Sequence, residues 1–217
     1  MHEPPTGSEL ERLCAQKVRQ LSPERICAFC ASCAERFFPG YVGWVTEERI
    51  TLPSADLIRE AIDACWIMQP DSQKVEELIR GIRDQDPNPL VPVFSSGLSV
   101  FGVEIDIVKV ALSSVTEPAT NDALLCSVYS LDFFSKYLDL RREMQRIGPD
   151  FDDPGRDLRE FEADLGANEE AKTQIADVEA LMTKAVDLPR FMNQSKTYGE
   201  RLFKQVVEVI GQGPVAG

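Results

Sequence analysis

Histidine is nearly missing from this 217-residue chain; the only one is His2, beside the start. Ser-His-Asp triads, Cys-His dyads, H-E-x-x-H zinc sites and the Glu-x-x-His motif of di-iron bundles all need a histidine inside the fold, so none of them is expected here. Phosphate cradles are missing too. There is no G-x-x-x-x-G-K-[ST] and no G-x-G-x-x-G, and Gly97 and Gly102 lack the neighbours such loops require. A nucleotide-dependent enzyme is therefore disfavoured. No apolar run approaches the ~20 residues that span a bilayer. The start of the chain, MHEPPTGSELER, has neither a basic n-region nor an apolar core, so it does not read as a secretory signal. The expectation is a cytoplasmic protein. Positive charge is also scarce. Twenty-three Lys and Arg face 36 Asp and Glu, a net charge of -13. Such a chain repels nucleic-acid phosphates and anionic membrane surfaces, so neither is an expected partner. A basic protein partner is electrostatically favoured.

What is present is an ordinary globular composition, 43% hydrophobic and 27% charged, long enough to bury a core as one domain or one domain with an appendage. Six cysteines suit a reducing compartment, where free thiols behave as small hydrophobes.

The apolar spacing is mostly helical. Residues 8–20 form a short amphipathic segment. Ser22-Pro23 supplies a cap followed by proline at the first helical position. Ile26, Phe29, Cys30, Cys33 and Phe37 then fall on one helical face, and Pro39-Gly40 is expected to end that helix. Ser54 should cap the next helix, which stops before Pro70, and Asp71 or Ser72 should start another. DQDPNPLVP holds three prolines and reads as an ordered surface loop. Residues 95–116 are rich in Val and Ile, which favours strand. Yet Leu98, Phe101, Ile105, Val108, Leu112 and Val115 recur at steps of three and four, too long a seam for a strand, so a buried helix is expected. Leu124, Val128, Leu131 and Leu138 repeat at helical spacing between Asn121 and Ile147. Asn168 is read as the cap of a helix through Val186, and Pro189 as the opening of a last helix that ends near Ile210, with Tyr198, Leu202, Val206 and Val209 on one side. The fold expected is all-α, a single bundle-like domain of about seven to nine helices. Residues 1–7 are expected to be a disordered start, 8–186 the helical domain, and 187–217 a C-terminal helix and tail.

Cys27-x-x-Cys30-x-x-Cys33 is the sharpest chemical pattern, because closely spaced thiolates bind zinc or iron–sulfur clusters. Here the run lies inside a strong helical pattern. Cys30 falls on the Ile26–Phe37 face and Cys27 at its margin, so core packing is the preferred reading, with no metal and no cofactor assigned. Asp150, Asp152 and Gly155 faintly match a calcium loop, but Pro154 and Phe161 occupy positions that need ligands. Glu35, Glu47, Glu48, Asp56, Glu60 and Asp63 could meet in a cleft for carboxylate chemistry, a pattern any acidic helical chain would show.

The stretch Pro23–Tyr41 resembles a bacterial family of unknown function typified by YjaG. The residues that carry the resemblance are Ala28-Phe29, Ala31-Ser32, Glu35-Arg36, Pro39 and Tyr41, with weaker support from Phe101-Gly102-Val103 and Ala111-Leu112-Ser113-Ser114. It covers roughly residues 8–185. It implies an all-helical fold and small or apolar residues at the places of Cys27, Cys30 and Cys33. Glu104-Ile105-Asp106 departs from the family's entry to that helix. The resemblance supplies no activity.

Residues 150–180 hold eleven acids and three bases, so they contribute -8 of the -13. A solvated linker or helix face is the plain explanation. The functional expectation is a non-catalytic acidic interaction protein, with an immunity protein against a basic toxin as one form. Asp150, Asp152, Asp153, Asp157, Glu160, Glu162 and Asp164 are the candidate partner-binding residues. The alternatives are a carboxylate- or metal-dependent enzyme and a homo-oligomeric scaffold. The scaffold would use an exposed apolar patch at Tyr41, Trp44 and Val45, although Trp44 fits a core as well.

Overall fold

Local signals set most helix starts. In the computed structural model, Ser22 offers its carbonyl to the amides of Arg25 and Ile26 at 2.9 and 3.0 Å, and a helix opens at Pro23. Ser54 is extended and its hydroxyl accepts from the Leu57 amide at 3.2 Å, opening a helix at Ala55. The Asp71 carboxylate takes the Gln73 amide at 3.0 Å, and Asp187 takes that of Arg190 at 3.1 Å. Each such cap satisfies an amide that the first helical turn leaves unpaired.

The structure describes residues 7–45, 53–67, 71–85, 96–144, 165–183 and 186–211. Among them are eight helices and no strand: α1 Gly7–Val18, α2 Pro23–Val45, α3 Ala55–Trp66, α4 Ser72–Gln85, α5 Ser96–Thr116, α6 Thr120–Met144, α7 Leu165–Leu181 and α8 Leu188–Gly211. The all-α expectation holds, and the Val- and Ile-rich stretch is the helix α5. None of the described helices is long and apolar enough to cross a membrane.

Helix α2 is the axis of the fold. It packs against α3, α5, α6, α7 and α8, while α5 and α6 pair beside it and α1 lies on α6 and α7. Every residue from Ala28 to Phe37 is buried. A helix enclosed on all sides cannot be amphipathic in the usual sense, so its polar residues need partners inside the protein. The expected face of Ile26, Phe29, Cys30, Cys33 and Phe37 is in the core, and Phe37 packs on Phe133 of α6 with ring centroids 4.6 Å apart.

Three local expectations fail. Helix α2 does not end at Pro39-Gly40; it carries Pro39 inside and runs to Val45. An interior proline costs about 3 kcal/mol. Phe37, buried just before it, contributes about 1.5–3 kcal/mol by leaving water. Tyr41, buried just after it, also hands its hydroxyl to the carbonyl of Pro53, so packing outweighs the break. Helix α7 begins at Leu165 and ends at Leu181, which puts Asn168 in its first turn rather than at its cap. A cap contributes only about 1 kcal/mol, too little to fix a start against continued propagation. On α6, Val128 is 48% exposed, and the residues that reach the core are mostly small: Ala123, Cys126, Ser127 and Ser130, with Leu131 and Phe133. Small side chains let α5 and α6 approach closely, which apolar periodicity alone does not reveal. Of the expected loop over residues 84–92, Asp84 and Gln85 belong to α4, and the rest, with residues 1–6 of the expected disordered start, lies outside the described residues.

Candidate functional site

Successive residues on a helix point about 100° apart. Glu35 and Arg36, both buried in α2, therefore address different neighbours, and each finds opposite charge there.

Arg36 reaches α7. Its Nε and Nη2 donate to Glu170 Oε1 at 3.2 and 2.9 Å, and its Nη1 donates to Asp177 Oδ2. Nη1 also lies 3.2 Å from the Ser32 hydroxyl, which is itself 3.2 Å from Asp177. The network continues toward α6 and α1. Gln174 donates to Glu170 at 2.9 Å, and its carbonyl oxygen accepts from the Ser127 hydroxyl at 2.6 Å and the Cys14 thiol at 3.1 Å. Burial alone would lower the Arg36 pKa, but Glu170 and Asp177 hold it above the ordinary arginine range. Burial pushes Asp177 above the usual carboxylate range, with Arg36 opposing. One buried cation thus ties α2 to two acids of α7.

Glu35 reaches α3. Arg59 grips it with both guanidinium arms, Nη1 to Oε1 and Nη2 to Oε2, each at 2.8 Å, and the Trp66 indole donates to Oε2 at 3.2 Å. Arg59 also holds Asp63 at 2.7 Å and lies 4.9 Å over the Phe38 ring. Trp66 meets Phe191 of α8 edge-on, so the cluster touches a third helix. On the side of α5 stands Glu104, 2% exposed, with neither carboxyl oxygen hydrogen-bonded. Burial first, and Glu35 second, drive its pKa well above the usual carboxylate range, which favours the neutral form.

The candidate residues named from sequence divide accordingly. Ala28 and Phe29 are core, Glu35 and Arg36 anchor α3 and α7, Pro39 lies within α2, and Tyr41 is buried. Tyr41 therefore does not belong to an exposed apolar patch; the Trp44 and Val45 side chains lie outside the described residues. Cys30 and Cys33 are fully buried, and Cys27, half-buried at the margin, donates to the Ser114 carbonyl at 2.9 Å. Burial pushes Cys14 up to about 11 and raises Cys27, Cys33, Cys65 and Cys126 as well. Of the acids considered for a cleft, Glu35 and Asp63 share Arg59, whereas Glu60 pairs with Lys74. Glu47 and Glu48 lie outside the described residues. No group of three or more His, Cys, Asp or Glu is placed to hold a metal ion among the described residues. The seven acids expected to meet a partner, Asp150, Asp152, Asp153, Asp157, Glu160, Glu162 and Asp164, also lie outside them.

The described half of the acidic stretch faces inward or sideways. Glu170 and Asp177 bind Arg36, Glu169 lies 3.6 Å from Arg201 of α8, and Glu179 lies 2.7 Å from Lys17 of α1. All four acids from 169 to 179 bridge α7 to another helix, which charge counting had not distinguished from a solvated face. Sequence reasoning also missed Arg59, Glu104, Glu170, Gln174 and Asp177. A signal existed for two positions on the central helices: Arg36 shares the helical row of Phe29 and Cys33, and Glu104 shares that of Phe101 and Val108. Their partners are far away in sequence and left none.

No protein-family model matches the chain, and no curated protein or solved structure matches it.

Proposed function

We propose that this protein is a non-catalytic interaction protein that engages a basic protein partner, with a cognate immunity protein against a secreted nuclease toxin as its concrete form. In that role acidic side chains occupy a basic cleft built for phosphates, and long-range attraction speeds the encounter. The observation that carries the reading is the division of the acidic stretch. In α7, Glu170 and Asp177 are paired with Arg36 inside the bundle, while Glu169 and Glu179 pair with Arg201 and Lys17 at its surface. Residues 150–164 carry the rest of that stretch's charge, seven acids against Arg156 and Arg159, or -5. The charged pair of α2 has a structural task instead, since Arg36 pairs with Glu170 of α7 and Glu35 with Arg59 of α3. The likeness of Pro23–Tyr41 to the YjaG-type family falls on this same helix, and we read its Glu-Arg pair as a device that fixes helix neighbours.

The test is affinity capture from source-cell lysate at low and high salt, followed by reconstitution with the purified partner. One basic protein should be retained at low salt and weakened at high salt. Changing Asp150, Asp152, Asp153, Asp157 and Asp164 to Asn, and Glu160 and Glu162 to Gln, should weaken the reconstituted complex at least tenfold (about 1.4 kcal/mol). Equal affinity of the neutralised protein would remove these residues as the site.

A further inference from the structure

Glu104 is the one described carboxyl group with both oxygens buried and unbonded. A buried carboxylate without a donor is unstable, so this side chain must hold a proton or gain water. From α2, the charged group that acts on it is Glu35. From α3, Arg59 and Asp63 are engaged with Glu35 and with each other. Helices α4 and α6 pack on α5 but bring no charge to bear on it. On α5 itself, Asp106 is exposed and pairs with Lys109 at 3.6 Å.

We propose that Glu104 is a proton switch built into the bundle: protonated, it lets α5 pack against α2 and α3, and deprotonated, it leaves an unpaired charge in that interface and forces α5 out of the contact. Loss of the proton places two like charges together in a dry interface. Arg59 cannot serve both without releasing Glu35 or Asp63. The ionised form is stable only once α5 has moved or water has entered. Trp66, whose indole donates to Glu35, lies in the same cluster and reports the event.

The sign follows from proton counts. Folded Glu104 keeps its proton above the unfolded glutamate pKa of about 4.3, so the unfolded state binds fewer protons and stability falls as pH rises. Urea unfolding of the wild type and Glu104→Gln should be compared between roughly pH 5 and pH 9. The wild-type folding constant should fall relative to the variant by up to tenfold per pH unit. Trp66 emission should shift over the same range in the wild type and stay flat in the variant. At neutral pH, infrared spectra of the wild type should carry a carboxylic-acid C=O band that Glu104→Gln lacks. Parallel pH profiles, or no such band, would overturn the switch. Should Glu104→Gln fail to fold, hydrogen exchange of α5 in the wild type decides. Opening that steepens with pH beyond the chemical exchange rate supports the switch, and exchange that follows the chemical rate alone refutes it.

Discussion

Arg36 shows how one residue acquires its role. Its guanidinium is wholly buried, and its desolvation is tolerable only because Glu170 and Asp177 supply opposite charge within hydrogen-bond reach. Replacing it by Met keeps much of the volume and strands two acids. Arg36→Met should lower unfolding stability by about 3–5 kcal/mol in urea titration. Adding Glu170→Gln and Asp177→Asn to that variant should recover part of the loss, since the stranded charge is the larger share of it; a triple variant no better than the single one would contradict this account. The thiols give a second prediction at this scale. Cys14, Cys30, Cys33, Cys65 and Cys126 are buried, and Cys27 is half-buried. Alkylation of the native protein, read by peptide mass spectrometry, should mark Cys27 first, with the other five reacting only on unfolding.

Helix crossings decide what single elements can tolerate. Gly199 of α8 sits against the backbone of Arg36. A Cβ there would lie 2.9 Å from the Arg36 Cα and closer still to its carbonyl oxygen. Backbone atoms cannot swing aside as a flexible side chain would. Alanine in mid-helix normally gains about 1 kcal/mol over glycine, but overpacking a tight contact costs about 1–3 kcal/mol. Gly199→Ala should therefore destabilise on balance, measured by thermal unfolding, whereas Gly102→Ala on α5, where an added Cβ meets nothing within 4 Å, should stabilise. The elements themselves were largely legible. Ser22-Pro23, Ser54 and Asp71 announced three helix starts, and the three-and-four spacing of Ile105, Val108 and Leu112 outvoted the strand propensity of α5. Pro39 was misread because a break signal is local, while the burial of Phe37 and Tyr41 that overrides it comes from other helices. The candidate site was less legible. Glu35 and Arg36 stood out as a pair, yet their partners Arg59, Glu170 and Asp177 lie 24 to 141 residues away.

Across the whole molecule the charge is lopsided, and the fold sorts it. Lys17, Arg36 and Arg201 are spent on α7, and Arg59 on Glu35 and Asp63. Those four cations face six acids, so most of the net charge of -13 is carried elsewhere in the chain, and association with a basic protein should be strongly salt-dependent. Stopped-flow association rates should fall steeply between low and physiological ionic strength while dissociation rates change little; an on-rate indifferent to salt would argue against electrostatic steering. By itself the sequence determined an all-helical chain and most helix starts, because capping, spacing and composition act within a few residues. Only the tertiary structure decided that α2 is enclosed by its neighbours, that four acids of α7 pair with other helices, and that Glu104 is buried without a hydrogen-bond partner. Those facts depend on desolvation, and desolvation is imposed by neighbours that the chain brings from far away.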